Sequence, residues 1–264
     1  MNRPLMLSAL VALAGSPALA RPLVTTHIDT TPGNTIGAFN YTGAGTGFGG
    51  TVGNGSISLD SDATNLYIRF TAGASINDLI AIFLDTRAGG FTDADMDDQA
   101  DGGRRALSQL ANAADDAFDP GFLPDFGVTL FGNTPGNEGT VFFELTAGNT
   151  PGHLNFLDFQ GTNPVVNNPL GYAIPLATLG VLPGGSIDFL VAYTSDSGFL
   201  SNESIPAYDP LQTNGNPGFG DGQFGGSVGS PGIGNFDRFV TVPTPGALAL
   251  FGFGAMAVAR RRRS

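Results

Sequence analysis

The sequence predicts an all-β protein, an antiparallel β-sandwich of jelly-roll type with one or two short helices in its loops and helical signal segments at both ends. Three observations carry this. The 264 residues include 40 Gly and 18 Pro, with Asn, Asp and Thr dense between apolar runs. Turn chemistry recurs at Thr31-Pro32-Gly33-Asn34, Thr134-Pro135-Gly136-Asn137 and Thr150-Pro151-Gly152. There Pro presets φ at the second position and Gly supplies positive φ at the third, the requirement of a type II turn. The intervening runs are short and either alternate or are solidly apolar, as strands do.

Taken in order, strands are expected at Ser56–Asp60, Leu66–Thr71, Leu79–Asp85, Phe126–Phe131, Thr140–Thr146, His153–Phe159, Tyr172–Pro175, Ile187–Tyr193 and Phe236–Val242. The Gly-rich stretch from Asn40 to Gly55 reads either as loop or as a weak edge strand. Arg104 to Phe118 reads as a helix, because Leu107, Leu110, Ala111 and Ala114 share a face at three- and four-residue spacing. A short turn follows Ala177. Many short strands with few helices are the pattern of a two-layer β architecture.

All 23 acidic residues lie between Arg21 and Thr241, against six of the 11 arginines, so this segment carries a formal charge of −17; the chain has no lysine. A surface this acidic disfavours nucleic acid, whose phosphates need a basic face. It suits divalent cations, or simply solubility outside the cell. No cysteine is present, which removes disulfides and zinc-thiolate sites. Residues 21–241 suit one domain with a substantial core.

The two ends differ from this acidic middle. Residues 1–20 carry Arg3, then an apolar stretch from Leu5 to Ala14, then Ala18-Leu19-Ala20, a small-x-small site for signal peptidase. This is the layout of a secretory signal peptide, with a mature chain expected from Arg21. Residues 242–264 carry Val242-Pro243-Thr244-Pro245, a 14-residue small and apolar run from Gly246 to Ala259, and Arg260-Arg261-Arg262-Arg263. A bilayer-crossing helix needs about 17–25 residues, so the run is short for a permanent anchor. The arginines form a stop that stays cytoplasmic. Motif, short hydrophobic segment and basic tip together resemble the PEP-CTERM sorting signal of exosortase-bearing Gram-negative bacteria; the Pro-Glu-Pro of that family stands here as Pro243-Thr244-Pro245. The resemblance implies an exosortase-type processing enzyme, transient residence in the inner membrane, and a destination at the cell-envelope surface or outside the cell. A plain C-terminal tail anchor is the other reading.

The middle of the chain has a second likeness. Asp60-Ser61-Asp62-Ala63-Thr64-Asn65-Leu66-Tyr67-Ile68, Ile82-Phe83-Leu84-Asp85-Thr86, Tyr172-Ala173-Ile174-Pro175-Leu176-Ala177-Thr178-Leu179-Gly180, Ile187 to Tyr193 and Gly198 to Pro206 follow in an order that resembles the CBM9-like and DOMON-like β-sandwich modules of secreted bacterial proteins, nearest the glucodextranase C-terminal type. The likeness implies binding of a sugar, including polysaccharide, of haem or of another small ligand, or a structural appendage, often with calcium. Sugar-binding members stack a ring between tryptophans, and this chain has none.

For chemistry, the densest polar cluster runs from Asp93 to Gly103. Asp93, Asp95, Asp97 and Asp101 fall on positions 1, 3, 5 and 9 of a calcium loop. Position 6 is Asp98 rather than Gly and position 12 is Arg104 rather than Glu, so this is not an EF-hand. Two readings stand: a looser Ca²⁺ site completed by Asp85, or a solvated acidic loop. Ser201-Asn202-Glu203 reads as a turn whose Glu203 caps it, orients a loop or meets a cation. Catalytic signals are thin. Gly225-Gly226-Ser227-Val228-Gly229 has the Gly-x-Ser-x-Gly form without the strand–turn–helix context. His27 and His153 are the only histidines and have no Cys or Lys beside them. The expectation is an exported surface or matrix protein that is not an enzyme, with a ligand-binding or structural sandwich; the alternative is a secreted carbohydrate-active enzyme or its accessory binding module. A binding module would line a concave face with some of Tyr41, Tyr67, Tyr172, Tyr193, Tyr208 and the phenylalanines. An enzyme would show a paired, pKa-shifted carboxylate.

Overall fold

The computed structural model describes residues 26–28, 35–38, 55–71, 78–91, 98–108, 122–131, 139–148, 150–161, 171–195, 200–205 and 236–243. Twelve strands and two short helices occur among them. The chain order is β1 (Thr26–Ile28), β2 (Thr35–Ala38), β3 (Ser56–Ser61), β4 (Asn65–Thr71), β5 (Leu79–Asp85), α1 (Gly102–Ser108), β6 (Phe126–Phe131), β7 (Gly139–Glu144), β8 (Asn155–Gln160), β9 (Tyr172–Pro175), α2 (Leu176–Leu179), β10 (Ser186–Thr194), β11 (Leu200–Ile205) and β12 (Asp237–Val240). They form an eight-stranded sheet, β1-β12-β10-β5-β6-β7-β8 with β11 also on β10, and a four-stranded sheet, β2-β3-β4-β9. Every ladder among the described residues is antiparallel except β1 on β12, which brings the first and last described strands together in parallel.

Two kinds of strand are visible in the sequence because the sheets are covered differently. Along β4 every second residue is buried: Leu66, Ile68 and Phe70 point inward, while Tyr67 and Arg69 face out. That is the alternation of a sheet buried on one face. Along β5, Leu79 to Leu84 are all buried. Ile80, Ile82 and Leu84 enter the core between the sheets, with Ile57, Leu59, Ile68, Val128 and Phe189. Ala81 and Phe83 point the other way, into a second apolar cluster with Phe91, Leu107, Phe122 and Phe143. The unbroken apolar run of β5 is thus the signature of a sheet covered on both sides.

The helix α1 helps to cover that second face, and it sits there because Gly127 has no side chain. A Cβ at Gly127 would lie 2.7 Å from both Leu107 methyl carbons. Gly127→Ala is therefore expected to push Leu107 off β6 and cost about 1 kcal/mol; a urea midpoint equal to that of the parent would show that the helix can shift without penalty.

Expected and observed boundaries agree closely for β5, β6 and β9. The strand expected at His153 begins at Asn155 instead, because Gly152 to Leu154 are held in a turn. That turn has the expected chemistry: Gly152 has φ +85°, and the His153 amide donates to the Thr150 carbonyl at 3.1 Å. The other two Pro-Gly turns lie outside the described residues, as does Asn40 to Asn54. The helix expected over Arg104–Phe118 starts at Gly102, and its remainder past Ser108 lies outside the described residues. The turn after Ala177 is α2, closed by Gly180 in the left-handed conformation.

Ser201-Asn202-Glu203 is a correction: it lies inside β11, not in a turn. Nine-residue β10 is edged by β12 over Ser186 to Phe189, and β11 pairs with its remaining half, from Val191↔Ile205 to Thr194↔Leu200. Buried backbone groups require partners whatever side chains carry them, so a polar segment with no apolar alternation becomes a strand.

Candidate functional site

The acidic segment after β5 turns inward at its last described carboxylates. Asp98 is fully buried. One of its oxygens accepts from the Ala100 amide at 3.1 Å and the Gly152 amide at 2.7 Å; the other accepts from the Leu154 amide at 2.8 Å. Arg104 Nε stands 3.4 Å away and also donates to the Leu154 carbonyl at 3.2 Å. Burial alone would raise the Asp98 carboxyl. The three amides outweigh it and, with His153 nearby, hold it below the ordinary carboxylate range. Asp98 therefore ties the acidic segment, α1 and the Thr150–Gly152 turn into one unit. Sequence reasoning registered this residue only as a departure from a calcium loop. Its signal is weak: it is one aspartate among five in the segment.

Asp101 has a different task. Its side chain accepts from the Arg104 amide at 2.9 Å and pairs with the Arg104 guanidinium, the position of a helix N-cap. Of the other residues expected to bind calcium, Asp85 is described and Asp93, Asp95 and Asp97 lie outside the described residues. Asp85 accepts from the Leu123 amide at 3.0 Å, a partner unrelated to those of Asp101. Among the described residues, no group of three or more His, Asp or Glu side chains is placed to hold a metal ion.

Asp85 belongs to a second charged cluster at one end of the large sheet. Asp188 pairs across from it in the β5–β10 ladder and is clamped by Arg238 at 2.6 and 2.7 Å. Asp125, just before β6, is buried; it accepts from the Thr86 and Arg87 amides at 2.8 and 2.7 Å and from the Thr86 hydroxyl at 3.1 Å. Arg87 also reaches Glu144 at 3.1 Å and lies over the Phe126 ring. Burial pushes the Asp85 carboxyl up to about 7; the Leu123 amide opposes this, Asp125 and Asp188 add to it, and Arg238 relieves part.

A carboxyl titrating near neutrality beside other carboxyls is half of what an enzyme would show. Both neighbours are engaged by other groups: Asp188 is bidentate to Arg238, and one oxygen of Asp125 accepts from two amides and a hydroxyl. Gly225 to Gly229 lies outside the described residues. His27 sits in β1, in register with Phe239. His153 has Nδ1 2.8 Å from the Thr146 carbonyl and stacks on Phe91.

Tyr172 and Tyr193 are buried in the core. The Tyr172 hydroxyl donates to Asp158 at 2.9 Å, and the Tyr67 hydroxyl donates to Asp62 at 2.7 Å, beside the β3–β4 turn. Tyr41 and Tyr208 lie outside the described residues. Among the described residues, the exposed phenylalanines are Phe156 and Phe159, 51% and 54% exposed on the edge strand β8. They are three apart yet share a face, because a bulge lets Phe156 oppose Phe143 and Phe159 oppose Val141.

The sorting motif is described only at Val242 and Pro243. Thr244, Pro245, Arg260, Arg261, Arg262 and Arg263 lie outside the described residues, as do Ala18 and Ala20. No helix among the described residues is long and apolar enough to cross a membrane. No protein-family model, curated protein or solved structure matches the chain.

Proposed function

We propose that the chain is an exported protein of the cell-envelope surface or extracellular matrix, handed over by a C-terminal sorting segment to an exosortase-type processing enzyme, and that its sandwich, jelly-roll in type, is a ligand-binding or structural module rather than an enzyme. The observation that carries this is the three-part layout of residues 242–264 behind an acidic domain that follows an apolar N-terminal stretch with an Ala-x-Ala site. In support, Thr241 is buried and Pro243 exposed, so the domain closes where the motif opens. Mass spectrometry of secreted and envelope fractions tests it. The mature species should begin within a residue or two of Arg21 and contain no peptide from Phe251 onward. An intact Met1, or the full tail in the stable surface form, would sink the reading.

Calcium is part of this proposal through Asp93, Asp95 and Asp97. Extracellular calcium sites are weak, with Kd of about 10⁻⁴–10⁻³ M, so millimolar Ca²⁺ is the right probe. The melting temperature should be higher in Ca²⁺ than in chelator, and the Asp95→Asn/Asp97→Asn double variant should lose most of that difference. Equal melting temperatures would leave the acidic loop as solvated surface.

The exposed Phe156–Phe159 pair favours one specific ligand class, a polysaccharide whose sugar faces stack on aromatic rings. Phe156→Ala/Phe159→Ala should abolish co-sedimentation with insoluble glucan or chitin while leaving the melting temperature within a few degrees. Absence of co-sedimentation by the parent protein would leave the structural role.

A further inference from the structure

The eight-stranded sheet ends at β8, and among the described residues no strand pairs with the outer side of β8. A free edge is a row of unpaired backbone N–H and C=O groups, which folds blunt with short strands, prolines or outward charges. The other strands that end a sheet are blunted: β1 has three residues, β2 has four, and four-residue β9 closes on Pro175. β8 has six residues and no proline. Its one charged residue, Asp158, is turned across the sandwich, where its carboxylate accepts from the Tyr172 hydroxyl of β9 at 2.9 Å. What β8 presents instead is apolar. The half-exposed Phe156 and Phe159 share one face. Both rings are seated: Phe156 meets the Phe143 ring edge-on, with centroids 6.2 Å apart, and Phe159 lies over Gly139, 3.0 Å from where a Cβ there would sit.

The order Asn155-Phe156-Leu157-Asp158-Phe159-Gln160 is its own complement. A two-fold axis between Leu157 and Asp158 sets Phe156 opposite Phe159 of a second copy, and Asn155 opposite its Gln160. Cross-strand aromatic pairs favour an antiparallel ladder, and in this register each Asp158 falls opposite a leucine rather than another carboxylate. We propose that β8 is a docking edge for a second copy of this chain: two β8 strands pair antiparallel in that register, join two eight-stranded sheets into one and place four phenylalanines in one row. Self-complementarity is what a two-fold interface requires and what docking of an unrelated peptide does not. Four half-exposed rings supply roughly 400 Å², well under the ~1,200 Å² of a lasting interface, so the pair forms at high concentration and separates on dilution. It goes beyond the polysaccharide reading and does not depend on it, since the rings stay on the sheet face, where a sugar can still stack.

Because the chain has no cysteine, introduced thiols report the register. Asn155→Cys and Gln160→Cys are made as separate variants of the full chain and oxidised in detergent at high micromolar concentration, alone and mixed. Opposed residues stand about 4.5–5.5 Å apart between Cα atoms, within disulfide reach, whereas like positions are displaced by five residues, roughly 17 Å along the strand. The mixture should give at least about tenfold more covalent dimer than either variant alone. Equal yields in all three samples, or none from the mixture, overturn the proposal. Adding Phe156→Asp/Phe159→Asp to both variants sets carboxylates opposite one another and should remove the cross-link. Should a melting curve show that this form does not fold, Phe159→Asp alone makes the comparison. A cross-link that persists undiminished in the folded variant overturns the pairing. Since no polysaccharide is present, failure of the parent to co-sediment with glucan or chitin sinks the sugar reading and leaves this result standing.

Discussion

Asp98→Ala is expected to lower the free energy of unfolding by about 4 kcal/mol, because it orphans three backbone amides at once and each buried unsatisfied donor costs about 1–3 kcal/mol. The amides of Ala100, Gly152 and Leu154 all converge on this one carboxylate, and the site is buried too deeply for water to replace it freely. Asp98→Asn should cost less, about 2 kcal/mol, since its carbonyl oxygen still serves Ala100 and Gly152 while its amide group meets the Leu154 N–H donor to donor. The folded carboxyl lies below its ordinary value, so the stability it supplies is present above about pH 4 and is lost as pH falls through the lower folded value. The Asp98→Ala penalty should therefore shrink in acid. Urea unfolding at pH 7 and pH 3 measures both terms. A loss below about 1 kcal/mol at pH 7 would show that the acidic segment and the Thr150–Gly152 turn hold their places without this carboxylate.

The contrast between Asp98 and its neighbours shows what the sequence could reveal. Strands that alternate or run solidly apolar, such as β4 and β5, were legible because burial on one or two faces writes itself into the order of side chains. β11 was not, since its pairing satisfies the backbone of β10 and asks for no particular residue type at Ser201, Asn202 or Glu203. β1 and β2, three and four residues long, are too short to show any period. The acidic loop was legible as a cluster of charge, which is a property of composition. Which aspartate turns inward is decided by the amides of Gly152 and Leu154, more than fifty residues further along the chain, and no local pattern records that. Asp101 was readable in principle as a helix cap, because it stands three residues before Arg104. The exposed Phe156–Phe159 pair was hidden for another reason: spacing of three implies opposite faces of a strand, and only the bulge opposite Phe142 and Phe143 reverses that.

Asp85→Asn is expected to stabilise the protein, and only above acid pH. The unfolded carboxyl titrates near 4 and the folded one near 7, so the folded state holds its proton more tightly. Below pH 4 both states are protonated and Asp85 costs nothing. As pH rises through the interval the unfolded chain ionises first, and stability falls until pH passes the folded value. About three pH units correspond to a ceiling of roughly 4 kcal/mol, and partial exposure reduces this to about 2 kcal/mol. Asparagine keeps an oxygen for the Leu123 amide and removes the charge that Asp125 and Asp188 repel. The variant should thus match the parent at pH 4 and exceed it by about 2 kcal/mol at pH 8, read from urea midpoints at constant ionic strength. No gain at pH 8 would mean that Asp85 ionises freely in the fold. The same pair of proteins also decides whether Asp85 joins a calcium site. A bound cation favours the ionised carboxyl, so millimolar Ca²⁺ would cancel the pH 8 penalty in the parent and leave the Asn variant unchanged. An equal Ca²⁺ response in both proteins would separate Asp85 from the metal and confine any site to the loop that follows it.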